Sequence, residues 1–209
     1  MGDLKAYLLD TNAFVYPTNP GKENKENRRA ATVFWEQARI EIETGDAVLC
    51  IPREVARELE VQSYSLGGGV KQHKRILELL DEIEETYPDI TTPEIEHQLR
   101  KISAFVGESY REGIKQNYGI DKVKYGGVSD ARILYTAWQY DCVLVTANIK
   151  DFVIYPLLFS PGEDRLFDIL SGTYKYISSP LFTTITTDPL FEKMMEELHS
   201  LIEDATKEA

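Results

Sequence analysis

Three short apolar runs, "LKAYLL" at residues 4–9, "AVLCIP" at 47–52 and "CVLVT" at 142–146, are each closed by polar residues, and apolar positions at helical spacing lie between them. A short apolar run with abrupt polar ends is how a parallel strand buried on both faces reads. Strand, helix, strand, helix with few residues between them implies a parallel sheet and an α/β fold. After the first run comes a polar loop, "PTNPGKENKEN". Ala31, Phe34, Trp35, Ala38 and Ile42 then mark a helix over about 27–44 that Gly45 ends. Pro52 suits the first turn of the next helix, "PREVARELEV".

The alternation stops between Gln62 and Gly127. "SLGGGV" reads as a linker, because its glycines lack the GK[ST] ending of a phosphate-cradling loop. Ile76, Leu77, Leu80 and Ile83 predict one helix and Ile95, Leu99, Ile102 and Val106 another, with "YPDITTPE" turning the chain between them. Residues 63–125 therefore read as a helical insertion. Beyond it, Ile133, Leu134, Ala137 and Trp138 face the core from a helix starting near Ser129, and a further strand is expected at 165–170. The stretch after that strand reads as irregular. Phe191, Met194, Met195, Leu198 and Ile202 predict a last amphipathic helix, expected to dock on the chain's own core. The expected organisation is one domain over 1–170 carrying the insertion, with a C-terminal extension, 171–209, packed on it.

A chain of 209 residues, 43% hydrophobic and 28% charged, is long enough for one well-filled globular domain. No apolar run approaches the ~20 residues that cross a bilayer, so no membrane partner is expected and the cytoplasm is the expected location. Cys50 and Cys142 sit inside apolar runs as buried thiols, and His73, His97 and His199 lack metal-ligand spacing. The net charge of −12 opposes loose adhesion to nucleic acid. A nucleic-acid substrate would need a local basic surface. Lys22, Lys25, Arg28 and Arg29 are candidates, as is the segment from Arg100 to Lys124, where Lys101, Arg111, Lys115 and Lys122 alternate with Tyr110 and Tyr118, and Tyr125 follows.

In an open parallel sheet, ligands bind outside the carboxyl ends of the strands. Asp10 and Asn12 follow the first strand, Asn148 and Asp151 follow the third, and Asp130 opens the helix leading into that third strand. Glu54 and Glu58, four apart on the helix after the second strand, share a face toward the same space. Crowded carboxylates resist joint ionisation unless a cation neutralises them. Oxygen ligands without His or Cys suit Mg2+ or Mn2+. Taken singly, Asp10 and Asp130 also suit plain helix-capping and helix-dipole roles.

In order, "LLDTN", "VARELE", "VSDARILYTA" and "VLVTANIKDF" resemble the motif set of the PIN-domain nucleases, which include the VapC-type toxins of toxin–antitoxin pairs. The resemblance spans roughly residues 4–62 and 126–170. It implies a PIN-like three-layer α/β/α fold around a central, mainly parallel sheet. It makes Asp10, Glu58 and Asp130 the acidic metal ligands, with Asn12 orienting the first carboxylate; Glu54 is the alternate to Glu58, read as a solvated residue. At the fourth acidic position the chain departs, because Thr146-Ala147-Asn148 puts an amide there; Asp151, three residues on, supplies the missing charge from the next turn, and Thr146 either bonds a ligand or ends its strand.

The function so implied is metal-dependent hydrolysis of RNA phosphodiester bonds by an endoribonuclease with one or two Mg2+ or Mn2+ ions. An antitoxin protein and a homodimer are the further partners the resemblance implies. Asn148 favours the alternative, a non-catalytic PIN-like module with a depleted acidic site. A phosphatase working through an aspartyl phosphate ranks behind both, because Asn12 stands where a second acid would be needed.

Overall fold

The computed structural model describes residues 4–19, 25–65 and 70–208. Residues 66–69 of the expected linker, and residues 20–24 of the polar loop with Lys22 among them, lie outside the described residues. The first strand, β1 (Lys5–Leu9), leads through α1 (Asn12–Thr18) and α2 (Lys25–Glu43) to β2 (Ala47–Pro52). Then come α3 (Arg53–Ser65), α4 (Val70–Leu80) and the short β3 (Glu85–Tyr87). The chain returns through α5 (Pro93–Ser109), α6 (Arg111–Tyr118) and α7 (Val128–Gln139) to β4 (Val143–Thr146). After β5 (Leu166–Asp168) and β6 (Thr173–Tyr174), it ends in α8 (Ser179–Thr186) and α9 (Pro189–Glu208).

The sheet order is β3-β2-β1-β4-β5-β6, parallel throughout except for the β5–β6 edge pair. Leu8, Leu9, Leu49, Leu144 and Val145 are fully buried, as the apolar runs require of strands covered on both faces. Phe34 of α2 meets Tyr7 at 5.7 Å and Phe167 at 5.5 Å on one face of the sheet. Right-handed crossovers put α7 on the other face, where it packs against β2 and β4. The chain runs outward from β1 through β2 to β3, then crosses back to β4 and outward again to β5. The direction switches between β1 and β4, the place where open α/β sheets build their sites.

Local sequence accounts for most element ends. Gly45, at φ 78°, closes α2 with its N–H on Ile42 O at 3.0 Å and the Asp46 N–H on Glu41 O at 2.8 Å, the paired bonds of a left-handed helix stop. Thr92 caps α5 by accepting the Ile95 N–H, with Pro93 in the first turn.

Several elements differ from the expectation. Pro17 and Thr18, expected to open the polar loop, belong instead to a helix, α1, with Pro17 inside it. Proline has no N–H to offer the Ala13 carbonyl one turn back, and the Trp35 indole N–H takes that carbonyl instead at 2.9 Å. Pro52 ends β2 opposite Tyr87 rather than opening a helix. The insertion is not wholly helical, because β3 adds a three-residue strand at the sheet edge. A strand that short, with charged residues beside it and Pro88 after it, carries too little period-two pattern to be read locally. The stretch expected to be irregular holds β6 and α8. Helix α9 lays Phe191, Met194 and Leu198 inward and packs along α5, where the Gln98 amide donates to Met194 O at 2.8 Å. Among the described residues, no helix is long and apolar enough to cross a membrane.

Candidate active site

Strand β1 delivers Asp10 to the switch point, 6% exposed. Its Oδ1 accepts the Thr11 N–H at 2.6 Å, and its Oδ2 accepts from Asn12 Nδ2 at 2.6 Å and Thr146 Oγ1 at 2.7 Å. Asn12 also accepts the Ala147 N–H at 2.8 Å, so one side chain pins the end of β1 to the end of β4. Thr146, wholly buried, is the hub: while donating to Asp10 it accepts the Asn148 N–H at 2.8 Å. Burial pushes the Asp10 carboxyl up to about 6 against the pull of the Thr146 and Thr11 hydrogen bonds, and the charges of Glu58 and Asp130 push it further the same way.

Glu58 and Glu54 project from α3 toward the first turn of α7. Glu58 accepts from the Thr11 and Ser129 hydroxyls, and Glu54 from Ser129 at 2.7 Å. Ser129 has one proton for two carboxylates, which leaves negative charge unmet at this point. The two glutamates are nevertheless not equivalent. Arg132 reaches Glu54 at 3.1 Å and Glu96 at 2.7 Å, tying α3, α5 and α7 together. Glu54 was expected to be a solvated alternate; its side chain is only 12% exposed and is ion-paired, because α7 brings an arginine two residues after Asp130. Glu58 is left as the carboxylate balanced by hydroxyls alone among the described residues.

Asp130 sits in the first turn of α7 and reaches back to accept the Gly127 N–H at 2.7 Å. Its carboxyl is raised chiefly by burial and further by Asp151 and Glu58, while the Gly127 N–H and Lys150 pull it down. Gly126 passes so close that a Cβ there would stand 3.0 Å from the Asp130 Cβ and 3.3 Å from the Asp151 carbonyl oxygen. The 3-10 turn Ile149–Asp151 brings Asp151 back onto Asn148, whose amide donates to it.

Asp10, Glu58, Asp130 and Asp151, with Asn12, Thr146 and Asn148, are thus brought to the carboxyl ends of β1 and β4, where the carboxylates sense one another's charge. The donor set is oxygen-only, the chemistry hard divalent cations take, and the Ser129 bridge between Glu54 and Glu58 is one proton short. In this arrangement the carboxylates are held by hydroxyl, amide and backbone donors, and among the described residues no three His, Cys, Asp or Glu side chains form a group able to hold an ion. Two recesses adjoin the cluster, and Asp10 lines neither. One is a narrow cavity bounded by Asp130, Asp151, Gly126 and Arg100. The other is a groove that begins at Asn148.

Sequence reasoning missed Thr11, Ser129 and Gly126. All three lie inside or beside the quoted motifs, but their partners are 47, 71 and 75 residues away for the hydroxyls, and a backbone approach for the glycine, so no local pattern marks them. The expected aromatic contacts change too. Tyr118 is buried, and Tyr110 is held by Asp188 at 2.6 Å; Tyr125 is the exposed one at 58%, with the Arg100 guanidinium over its ring.

No family model matches the chain, and no curated protein matches it. Among solved structures it is similar to VapBC2 from Rickettsia felis bound to a DNA fragment from their promoter, at 19% identity and TM-score 0.42, the match covering 71% of this chain and 91% of that one. It is also similar to FitAcB from Neisseria gonorrhoeae, at 20% identity and TM-score 0.43, covering 71% of this chain and 92% of that one.

Proposed function

We propose that this chain is a divalent-metal-dependent endoribonuclease of the PIN type that hydrolyses RNA phosphodiester bonds. The observation that carries the reading is the hydrogen-bonded linkage, at the switch point of the sheet, of Asp10 and Thr146 from adjacent parallel strands through Thr11 to Glu58 of α3 and on to Ser129 of α7, with Asp130 next to Ser129. Asp10, Glu58, Asp130 and Asp151 would hold Mg2+ or Mn2+. Bound there, such an ion lowers the pKa of a bound water and offsets charge building on the phosphate.

The chain's own contribution is placement. Asn12 and Thr146 fix both the rotamer and the charge of Asp10. Thr11 and Ser129 aim Glu58, the Gly127 N–H aims Asp130, and Asn148 turns Asp151 inward. Arg132 takes Glu54 out of the set, so α3 presents one free carboxylate rather than two. The motif resemblance extends the reading to a toxin whose crevice an antitoxin covers.

Cleavage of a mixed RNA panel in Mg2+ and Mn2+ tests the proposal. Wild type is expected to cleave, and Asp10→Asn and Asp130→Asn to leave the RNA intact; equal cleavage by all three would remove the catalytic assignment. Asn148 at the fourth acidic position supports a second reading, a non-catalytic module. Calorimetric titration with Mn2+ separates the two, since binding lost in Asp10→Ala belongs to an enzyme and no binding at millimolar metal to the module.

A further inference from the structure

Beside Asn148 lies a groove of about 720 Å³, walled by the Tyr118–Lys122 segment of the insertion, the 3-10 turn after β4 and the β5–β6 edge. Lys122, Lys150 and Lys175 line it, against Asp121 and Asp168. Lys175 is held by Asp168 at 3.3 Å. Lys122 and Lys150 have no carboxylate within ion-pair distance among the described residues, and neither has Lys124 next along the wall, which borders a second recess with Arg111 and Lys115. In a chain with 35 acidic and 23 basic residues, neighbouring lysines without counter-charges are not explained by folding. Tyr16 of α1, half-buried, offers an aromatic side chain to the same groove. Asn148 in the groove wall donates its amide to Asp151, so the groove borders the carboxylate cluster rather than a remote surface.

We propose that this groove is the track along which a single-stranded polynucleotide enters the carboxylate cluster, with Lys122 and Lys150 on successive phosphates and Tyr16 against a base. Lysines and an aromatic side chain lining one groove supply the chemistry of backbone binding with sequence-tolerant stacking. The groove is too narrow in charge to hold a duplex by counterion release alone, because its net charge, three lysines against two aspartates, is a single positive unit. One wall comes from the insertion, which lies outside the stretches that carry the motif resemblance. The inference rests on the nuclease reading only for what happens beyond Asn148.

Binding is measured by fluorescence anisotropy of 12-nucleotide oligo(U) and oligo(dT), using full-length Asp10→Asn so that cleavage does not interfere. Adding Lys122→Glu and Lys150→Glu is expected to weaken both oligonucleotides by roughly tenfold or more, and to reduce the slope of log affinity against log salt by about 1.4, two phosphates' worth for a single strand. Loss confined to oligo(U) supports the groove and assigns RNA as its ligand. Lys74→Glu on α4, which does not line the groove, is expected to leave both affinities unchanged, and Lys122→Gln with Lys150→Gln should reproduce a smaller loss if folding is intact. Unchanged affinity and slope in the charge-reversed protein overturn the proposal, as does failure of either oligonucleotide to bind the parent at low salt. Wild type that binds through the groove but cleaves no RNA sinks the nuclease reading and leaves the groove standing.

Discussion

At the residue scale, the site is a set of polar side chains held against their preference for water. Asp10 is the clearest case. Its carboxyl titrates near 6 in the fold and near 3.8 when free, so the unfolded chain releases that proton first as pH rises. Raised above its unfolded value, the group stabilises the fold fully below about pH 4 and loses that contribution as pH climbs through 6. Two units correspond to about 3 kcal/mol. The stability of Asp10→Asn minus that of wild type is therefore expected to grow by up to about 3 kcal/mol between pH 4 and 7, which urea melts at the two pH values check. Thr146→Val tests the hub from the other side. It keeps the buried shape but strips Asp10 and the Asn148 N–H of a partner, at a cost of about 1–3 kcal/mol. Thr146→Ser should restore most of that in the same melts.

At the element scale, α7 does two jobs from its first two turns. Asp130 and Ser129 face the strands' ends, while Arg132 ties the helix to α3 and α5 through two mostly buried glutamates. Removing one partner from such a network strands the others' charge. Arg132→Met is expected to cost roughly 3 kcal/mol, read as a lowered urea midpoint, and Glu54→Gln in the same chain should recover part of it. Gly45 and Gly126 show two distinct reasons for a glycine. A Cβ at Gly45 meets nothing within 4 Å, so Gly45→Ala costs only the left-handed backbone, about 1 kcal/mol. At Gly126 the backbone is ordinary and the space is taken, so Gly126→Ala must displace Asp130. Its expected signature is a larger loss of RNA cleavage than of stability, with a comparison of the two alanine variants as the check.

At the scale of the whole molecule, the carboxylate cluster and the lysine-lined groove adjoin one another while the net charge stays at −12. A cation held by the folded cluster and not by the unfolded chain raises the melting temperature by mass action. Millimolar Mn2+ is expected to raise that temperature for wild type, the shift vanishing in Asp10→Asn and persisting in Lys74→Glu. A shift of equal size in all three would mean the ion binds elsewhere on this acidic surface.

Periodicity alone sufficed for β1, β2, β4, α2, α5 and α9, because long apolar stripes and fully buried strands leave a pattern in any window. The order of the motifs likewise pointed to Asp10, Glu58 and Asp130 as acidic positions, with Asp151 standing in where Asn148 replaces the fourth. Local pattern could not supply α1, β3, β6 or α8. Helix α1 leans on a tryptophan 22 residues away, β3 and β6 on a neighbouring strand, and α8 is entered where the Asn117 side chain, 61 residues away, accepts the Ser178 N–H. Nor could it separate Glu58 from Glu54, which are alike until α7 brings Arg132 to one of them. Sequence by itself determined a mainly parallel sheet and put carboxylates at its carboxyl ends, since burial and strand direction are written in local apolarity. Only the tertiary structure decided which carboxylate keeps its charge free, which hydroxyls aim it and where unpaired lysines gather, because each of those depends on side chains that meet only after distant segments pack.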